Sequence, residues 1–410
     1  MRIAETGRPL AKCLLLLLLA SCGGCYYMQA ATGQWQLMRK REPISEVIAD
    51  AGTPAELAAR LQLVEAARQF SIDELALPDN DSYRSYADIE REFVVWNVFA
   101  APEFSLEPRR WCFPVVGCVS YRGYFARDDA YRASERLAKK GFDVAVGGVT
   151  AYSTLGNFDD PVLSSMMRWD DIQLVAVLFH ELAHQVLYIK GDTGFNESFA
   201  SAVEEIGIDR WLTSRGQAED MTAYHERRTL QRDLMALVTA ARRDLENLYA
   251  EALGDADKRQ RKAQRLDRLR RAATERLAES GRHGDHWLSK DLNNARLVSM
   301  SLYEGRLPAF RVLFERCSRD IVCFYEQAIE LSELAETERN EALDDLARGQ
   351  VLGSRDRLDD AQFIGQAPDM PRHAPMENSL RGHHALDIAA CFVERNILDP
   401  DARVDDPLVG

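Results

Sequence analysis

The chain has 410 residues, of which 46 % are hydrophobic and 28 % charged, with a formal net charge of −14. That length exceeds one small core and predicts two or three packing units. The acidic balance argues against non-specific nucleic-acid binding, which needs a basic surface.

The first segment, "MRIAETGRPLAKCLLLLLLASCGGC", sets Arg2, Arg8 and Lys12 before an apolar run from Cys13 to Ala20. This reads as a secretory signal over 1–21, too short to span a bilayer as a mature helix. "LAS" followed by Cys22 resembles a bacterial lipobox, which implies lipidation of Cys22; a plain signal peptide cleaved nearby is the alternative. Residues 22–45 read as a membrane-proximal tether. Residues 46–78 carry apolar side chains at helical spacing, and 90–128, rich in Val, Phe, Tyr and Trp, predict short strands and turns. A helix over 128–141 and a strand within 142–156 follow.

A strong helix is predicted from Asp170 to Lys190, with Asp170 or Asp171 capping its start and Gly191 suited to the left-handed position beyond its end. A second helix runs from Asn196 to about Trp211. Residues 216–286 read as a charged helical hairpin. The basic stretch "DKRQRKAQRLDRLRRAATERL" is interleaved with Leu and Ala, as on a solvated helix face. Residues 287–350 are helical again, and 351–410 form an irregular tail with one short helix near 385–395. The whole predicts an α+β, predominantly α-helical fold, with a core over 46–215.

Export to an oxidising compartment changes how the cysteines read. Cys112 with Cys118, and Cys317 with Cys323, share a six-residue step and can each close a small disulfide loop; buried free thiols are the alternative. Cys391 is left over, buried or paired with Cys25.

The chemistry concentrates in "FHELAHQVLYIKGDTGFNESFA", 179–200. His180 and His184 stand one helical turn apart on one face, a spacing that lets two imidazoles share a divalent ion such as Zn2+. Glu181 is placed to take a proton from a water on the open side of such an ion. The Gly–Asp–Thr–Gly turn can reverse the chain and bring Glu197 in as third ligand. Ser201 and Glu204, one and two turns beyond Glu197, are candidates to orient a ligand imidazole through its second nitrogen.

"HELAHQ" followed by "NESFASAVEE" resembles the gluzincin metallopeptidases, whose zinc ligands are the two histidines and a downstream glutamate. The blocks "CYYMQAATGQWQLMRKREPI", "FPVVGCVSYRGYF", "AYSTLGNFDDPVLSSMM" and "NNARLVSMSLYEGRLPAF" extend the resemblance, in order, to the bacterial putative aminopeptidase lipoproteins. It implies a zincin-like core with a small edge-strand sheet, a helical-hairpin insertion, and zinc-dependent hydrolysis of a peptide or protein substrate. Two departures stand out: Glu197 follows His184 sooner than in many gluzincins, and Ser201 stands where many have aspartate. In zinc peptidases of this type an edge strand pairs with the substrate backbone, a role for Gly147, Gly148 and Tyr152. Tyr303 is the candidate oxyanion donor, with Tyr124 and Tyr152 behind it. Asp159 or Asp160 could grip a substrate amine. Glycine after Cys22 implies, by resemblance to Gram-negative lipoproteins, an outer-membrane protein facing the periplasm. An envelope endopeptidase, or a non-catalytic zinc-binding scaffold, are the competing readings. The sequence does not set the oligomeric state.

Overall fold

A computed structural model describes residues 26, 28–113, 117–156, 158–282, 292–300, 305–352 and 391–393. Cys22, Cys25, Tyr303, His383 and His384 lie outside the described residues. The order begins with α1 (28–39), β1 (Arg41–Pro43), α2 (Ile44–Ala49), α3 (Ala55–Asp73), β2 (Ser85–Ala87) and β3 (Val95–Pro102). Then come β4 (Trp111–Phe113), β5 (Gly117–Val119), β6 (Tyr121–Tyr124), α4 (Arg127–Ala138), β7 (Phe142–Val149), β8 (Ala151–Ser153) and β9 (Val162–Leu163). Helices dominate the rest: α5 (Asp171–Ala183), α6 (Thr193–Ser214), α7 (Ala218–Ala250), α8 (Asp255–Glu279), α9 (Asn294–Met300), α10 (Leu307–Arg316), α11 (Ile321–Glu333) and α12 (Glu336–Leu352). A final strand, β10, spans Cys391–Val393. The α+β, mostly helical class is the one the sequence predicts.

The central sheet runs β6-β3-β7, all antiparallel, with Trp96 opposite both Tyr124 and Gly148. Strand side chains alternate between faces, so β3 serves two layers. Val98 packs with Tyr124, Ala130 and Ala133 on the α4 side, while Phe99 and Ala145 meet Ala295 of α9. Val95 and Val149 join the main core with α3, α5, α6, α10 and α11. Helices α10 and α11 therefore share their core with the HExxH helix. Gly207 permits a close approach of α6 to α5: a Cβ there would lie 2.6 Å from Phe179.

Helices α7 and α8 zip together over their own apolar seam, including Leu230, Leu234, Val238, Leu266, Leu269 and Leu277. The hairpin is tied to the sheet by polar bonds. Lys262 Nζ donates to Asp143 at 2.5 Å and to the Glu103 carbonyl at 2.9 Å, and the Tyr249 hydroxyl of α7 donates to Asn294 of α9, whose amide donates to the carbonyls of Pro102, Glu103 and Ser105. Two six-residue steps are closed by disulfides, Cys112–Cys118 and Cys317–Cys323.

Three local expectations differ. The HExxH helix ends at Ala183, with His184 as its cap, rather than at Lys190. Gln185 and Val186 instead bond back three residues, to Leu182 and Ala183, while the Gln185 side chain is held by Asn80 and Ser82. The second helix starts at Thr193, ahead of Asn196, because Asp192 caps it through the Phe195 N–H at 3.0 Å. The expected helix near 385–395 holds a strand at Cys391–Val393, three residues with strand preference that pair with β8.

Candidate metal centre

Helix α5 is fixed at its start by Asp170, whose side chain accepts from Gln173 N–H at 2.7 Å and from Arg227 at 2.7 Å. From Leu174 to Ala183 every residue is buried, so the helix presents its polar groups inside the protein. Such burial is costly without partners, and the partners come from α6. The reversal between the two helices is clamped by Asn196, which accepts from Ile189 N–H and donates to Ile189 C=O, both at 2.8 Å. Gly191 takes φ +86°, a left-handed position that favours glycine. Arg339 of α12 holds the capping Asp192 at 2.8 Å.

This reversal brings the three candidate ligands together. His180 Nε2 lies 3.2 Å and His184 Nε2 3.7 Å from the Glu197 carboxylate. The two imidazole rings stand 4.9 Å apart, nearly perpendicular. One ligand atom from each of His180, His184 and Glu197 lies within 4.8 Å of the others, and all three residues are buried. Two imidazole nitrogens and a carboxylate oxygen are a donor set suited to a divalent cation of borderline softness. The residues thus fit a metal ion, and could hold one.

Glu204, two turns beyond Glu197, approaches the other face of His180, with Oε2 3.2 Å from Nδ1. A proton held on Nδ1 by this carboxylate leaves the Nε2 lone pair toward Glu197 and the ligand cluster. Ser201 is buried on the same helix but bonds to neither imidazole. Of the two candidates, Glu204 is the one whose carboxylate reaches a ligand ring, at 3.2 Å. Glu181 is fully buried beside His180.

The next residue, Glu205, fastens α6 to α7 and α10. It accepts from Arg228 at 2.8 Å and from Arg311 at 2.6 Å. Burial pushes its carboxyl upward, yet the two guanidinium groups outweigh that and hold it below the usual range. Nearby, Ser198 accepts from the Arg306 N–H at 3.1 Å, tying the start of α10 to the residue after Glu197. Asn196, Glu205 and Arg339 were not singled out as site residues from the sequence; the Asn directly before the ligand glutamate was the available signal.

The remaining expected site residues distribute as follows. Gly147 and Gly148 lie in β7, opposite Asn97 and Trp96. A Cβ on Gly148 would sit 2.3 Å from the Phe93 ring, so this glycine makes room for Phe93. The backbone of Tyr152 is in β8, which touches α5. Tyr124 packs in the α4-side cluster with Val98, Ala130 and Ala133. The Asp159 carboxylate is largely exposed near Arg41. Asp160 is committed inward: it accepts from Thr154 N–H at 2.7 Å, the Thr154 hydroxyl at 2.9 Å and Ser153 at 3.4 Å. Burial lifts its carboxyl to about 7, against the pull of those donors.

Fold and site together describe a mostly helical α+β protein with a buried two-histidine, one-glutamate cluster. The chain belongs to the family described as putative aminopeptidase, whose model matches residues 25–343. No curated protein matches it. No solved structure matches it either.

Proposed function

We propose that this chain is a zinc-dependent peptidase with a zincin-like core, acting on peptides or protein termini. The observation that carries the reading is the buried convergence of His180, His184 and Glu197, with Glu204 behind His180 and Glu181 beside it. The family description supports peptide hydrolysis and the amino- prefix.

A bound zinc ion would supply Lewis acidity for the scissile carbonyl. The protein's own groups carry the rest. His180, His184 and Glu197 form the ligand set, and Glu204 fixes the orientation of His180. The Glu181 carboxylate takes the proton of the attacking water and returns it to the departing amine, a transfer worth about 10²–10⁴ in rate. Burial at 0 % exposure keeps competing solvent from that carboxylate. The same reading puts the protein at the bacterial envelope, tethered through a lipid on Cys22 and facing the periplasm. No helix among the described residues is long and apolar enough to cross a membrane.

The test is hydrolysis of paired free and N-acetylated peptides by the chain lacking residues 1–22, with chelation, zinc add-back and Glu181→Gln. Cleavage that needs zinc and disappears in Glu181→Gln supports the peptidase. Cleavage of free N-termini alone supports an aminopeptidase, whereas equal cleavage of acetylated peptides makes it an endopeptidase. A folded, zinc-loaded protein that cleaves nothing refutes the reading in favour of a scaffold.

A further inference from the structure

The short strand β8 follows the edge strand β7 after one residue, Thr150, and makes contact with the metal-site helix α5. Its position is fixed from below. Ser153 and Thr154 are held by the buried Asp160, Ser153 Oγ accepts from Leu155 N–H at 3.1 Å, and Leu155 and Gly156 both take positive φ, 56° and 78°. That turn rests on the end of α5: a Cβ on Gly156 would lie 3.8 Å from Gln185, the residue after His184. A strand edge is thereby presented against α5, the helix that carries His180.

Among the described residues, the strand that pairs with β8 is β10, from near the other end of the chain. Pairing is antiparallel, with Cys391 opposite Ser153, Phe392 opposite Tyr152 and Val393 opposite Ala151. An extended segment has added itself to an available edge, which is how sheet edges capture peptides. β8 and β10 form a two-stranded sheet of three residues each. Ladders this small are marginal by themselves, so the added strand is displaceable.

We propose that the β8 edge, packed on the metal-site helix, is a docking site for extended peptide, and that residues 391–393 of the same chain are its resident competitor. This rests on the peptidase reading for its purpose, since the docked peptide would be the substrate. The edge offers backbone N–H and C=O groups, so it takes extended peptides with little regard to side chain. The resident strand then sets a threshold that an incoming peptide must exceed. If it occupies the edge nine-tenths of the time, the apparent affinity for peptide falls about tenfold.

Two full-chain variants test this. Ser153→Cys faces the native Cys391 in register, and residues directly opposite in an antiparallel pair have Cα atoms about 4.5–5.5 Å apart, within disulfide reach. Phe392→Pro with Val393→Pro removes two backbone donors from β10 and blocks its pairing. Binding of a fluorescent extended peptide is read by anisotropy in a Glu181→Gln background, and hydrolysis is read without that change. Oxidative crosslinking of Cys391 to β8 in the Ser153→Cys variant is expected to weaken peptide binding roughly tenfold or more, reversibly on reduction, and the proline pair to tighten it by a similar factor. Unchanged affinity in both variants overturns the proposal, as does absence of peptide binding in every form. If affinity follows the strand while no form hydrolyses any peptide, the docking edge stands and the peptidase reading fails.

Discussion

Replacing Glu204 with glutamine isolates the contribution of the carboxylate behind His180. The change keeps size and shape and removes one negative charge from a contact buried on both sides, at 3 % and 4 % exposure. Glu204 Oε2 sits 3.2 Å from Nδ1, so the lost interaction is one charge-assisted hydrogen bond, worth about 1.5–3 kcal/mol. Because that bond favours the tautomer whose Nε2 faces Glu197, most of the loss should appear in metal affinity, a weakening of about 10–100-fold. The assay is competitive zinc titration against a chromophoric chelator at constant pH, with a thermal melt of the metal-free form to confirm folding. Ser201→Ala, on the same helix and bonded to neither imidazole, should leave affinity unchanged. Equal zinc affinity in Glu204→Gln and parent, in a folded protein, would refute the orienting role. So would a loss in Ser201→Ala as large as that in Glu204→Gln.

Asp160 gives stability a pH dependence of definite sign. Its folded value of about 7 lies above the usual 3.8 of an aspartate, so the folded state holds a proton that the unfolded chain has released. Its contribution is therefore fully present below about pH 4 and is lost as pH rises to about 7, a change of about 4 kcal/mol across the window. Asp160→Asn should flatten the unfolding free energy between those pH values in denaturant titrations. An unchanged slope would mean that the burial cost is absorbed elsewhere. Glu205→Ala should cost about 3–5 kcal/mol, because Arg228 and Arg311 are left without their shared carboxylate. Chemical denaturation reads this, and a loss under about 1 kcal/mol would show the triad to be replaceable by solvent. Gly207→Ala gains about 1 kcal/mol of helix propensity but drives a methyl against Phe179 and Leu75, which should cost about 1–3 kcal/mol and lower the melting temperature. A stabilised variant would mean that the α5–α6 contact gives way easily.

The site was legible where local spacing carries the geometry. His180 and His184 share a face because a helix turns about every 3.6 residues, and that requires no knowledge of the fold. Glu197 was reachable as well, since a glycine-bearing turn followed by a second helix leaves few ways to return the chain. Glu204 and Ser201 were both on the correct face, but choosing between them depended on side-chain reach to a ring whose orientation comes from packing. The sheet glycine Gly148 illustrates a different limit. Its neighbour Phe93 is distant in sequence, so the packing that calls for glycine there is not legible in the sequence. The bonds that hold Asp160 to Thr154 and Ser153 are likewise not legible in the sequence.

By itself the sequence determined the mostly helical α+β class, the HExxH face and the reversal that returns Glu197. Each follows from periodicity, turn chemistry or residue type over short range. Only the tertiary structure decided where the HExxH helix stops, since Asn80 and Ser82 take Gln185 from a distant segment. It alone decided that Asn196 clamps the turn, that Glu205 gathers three helices, and that residues 391–393 lie along β8. These are contacts between parts of the chain far apart in order, and a single sequence encodes them only through the packing energy of the whole.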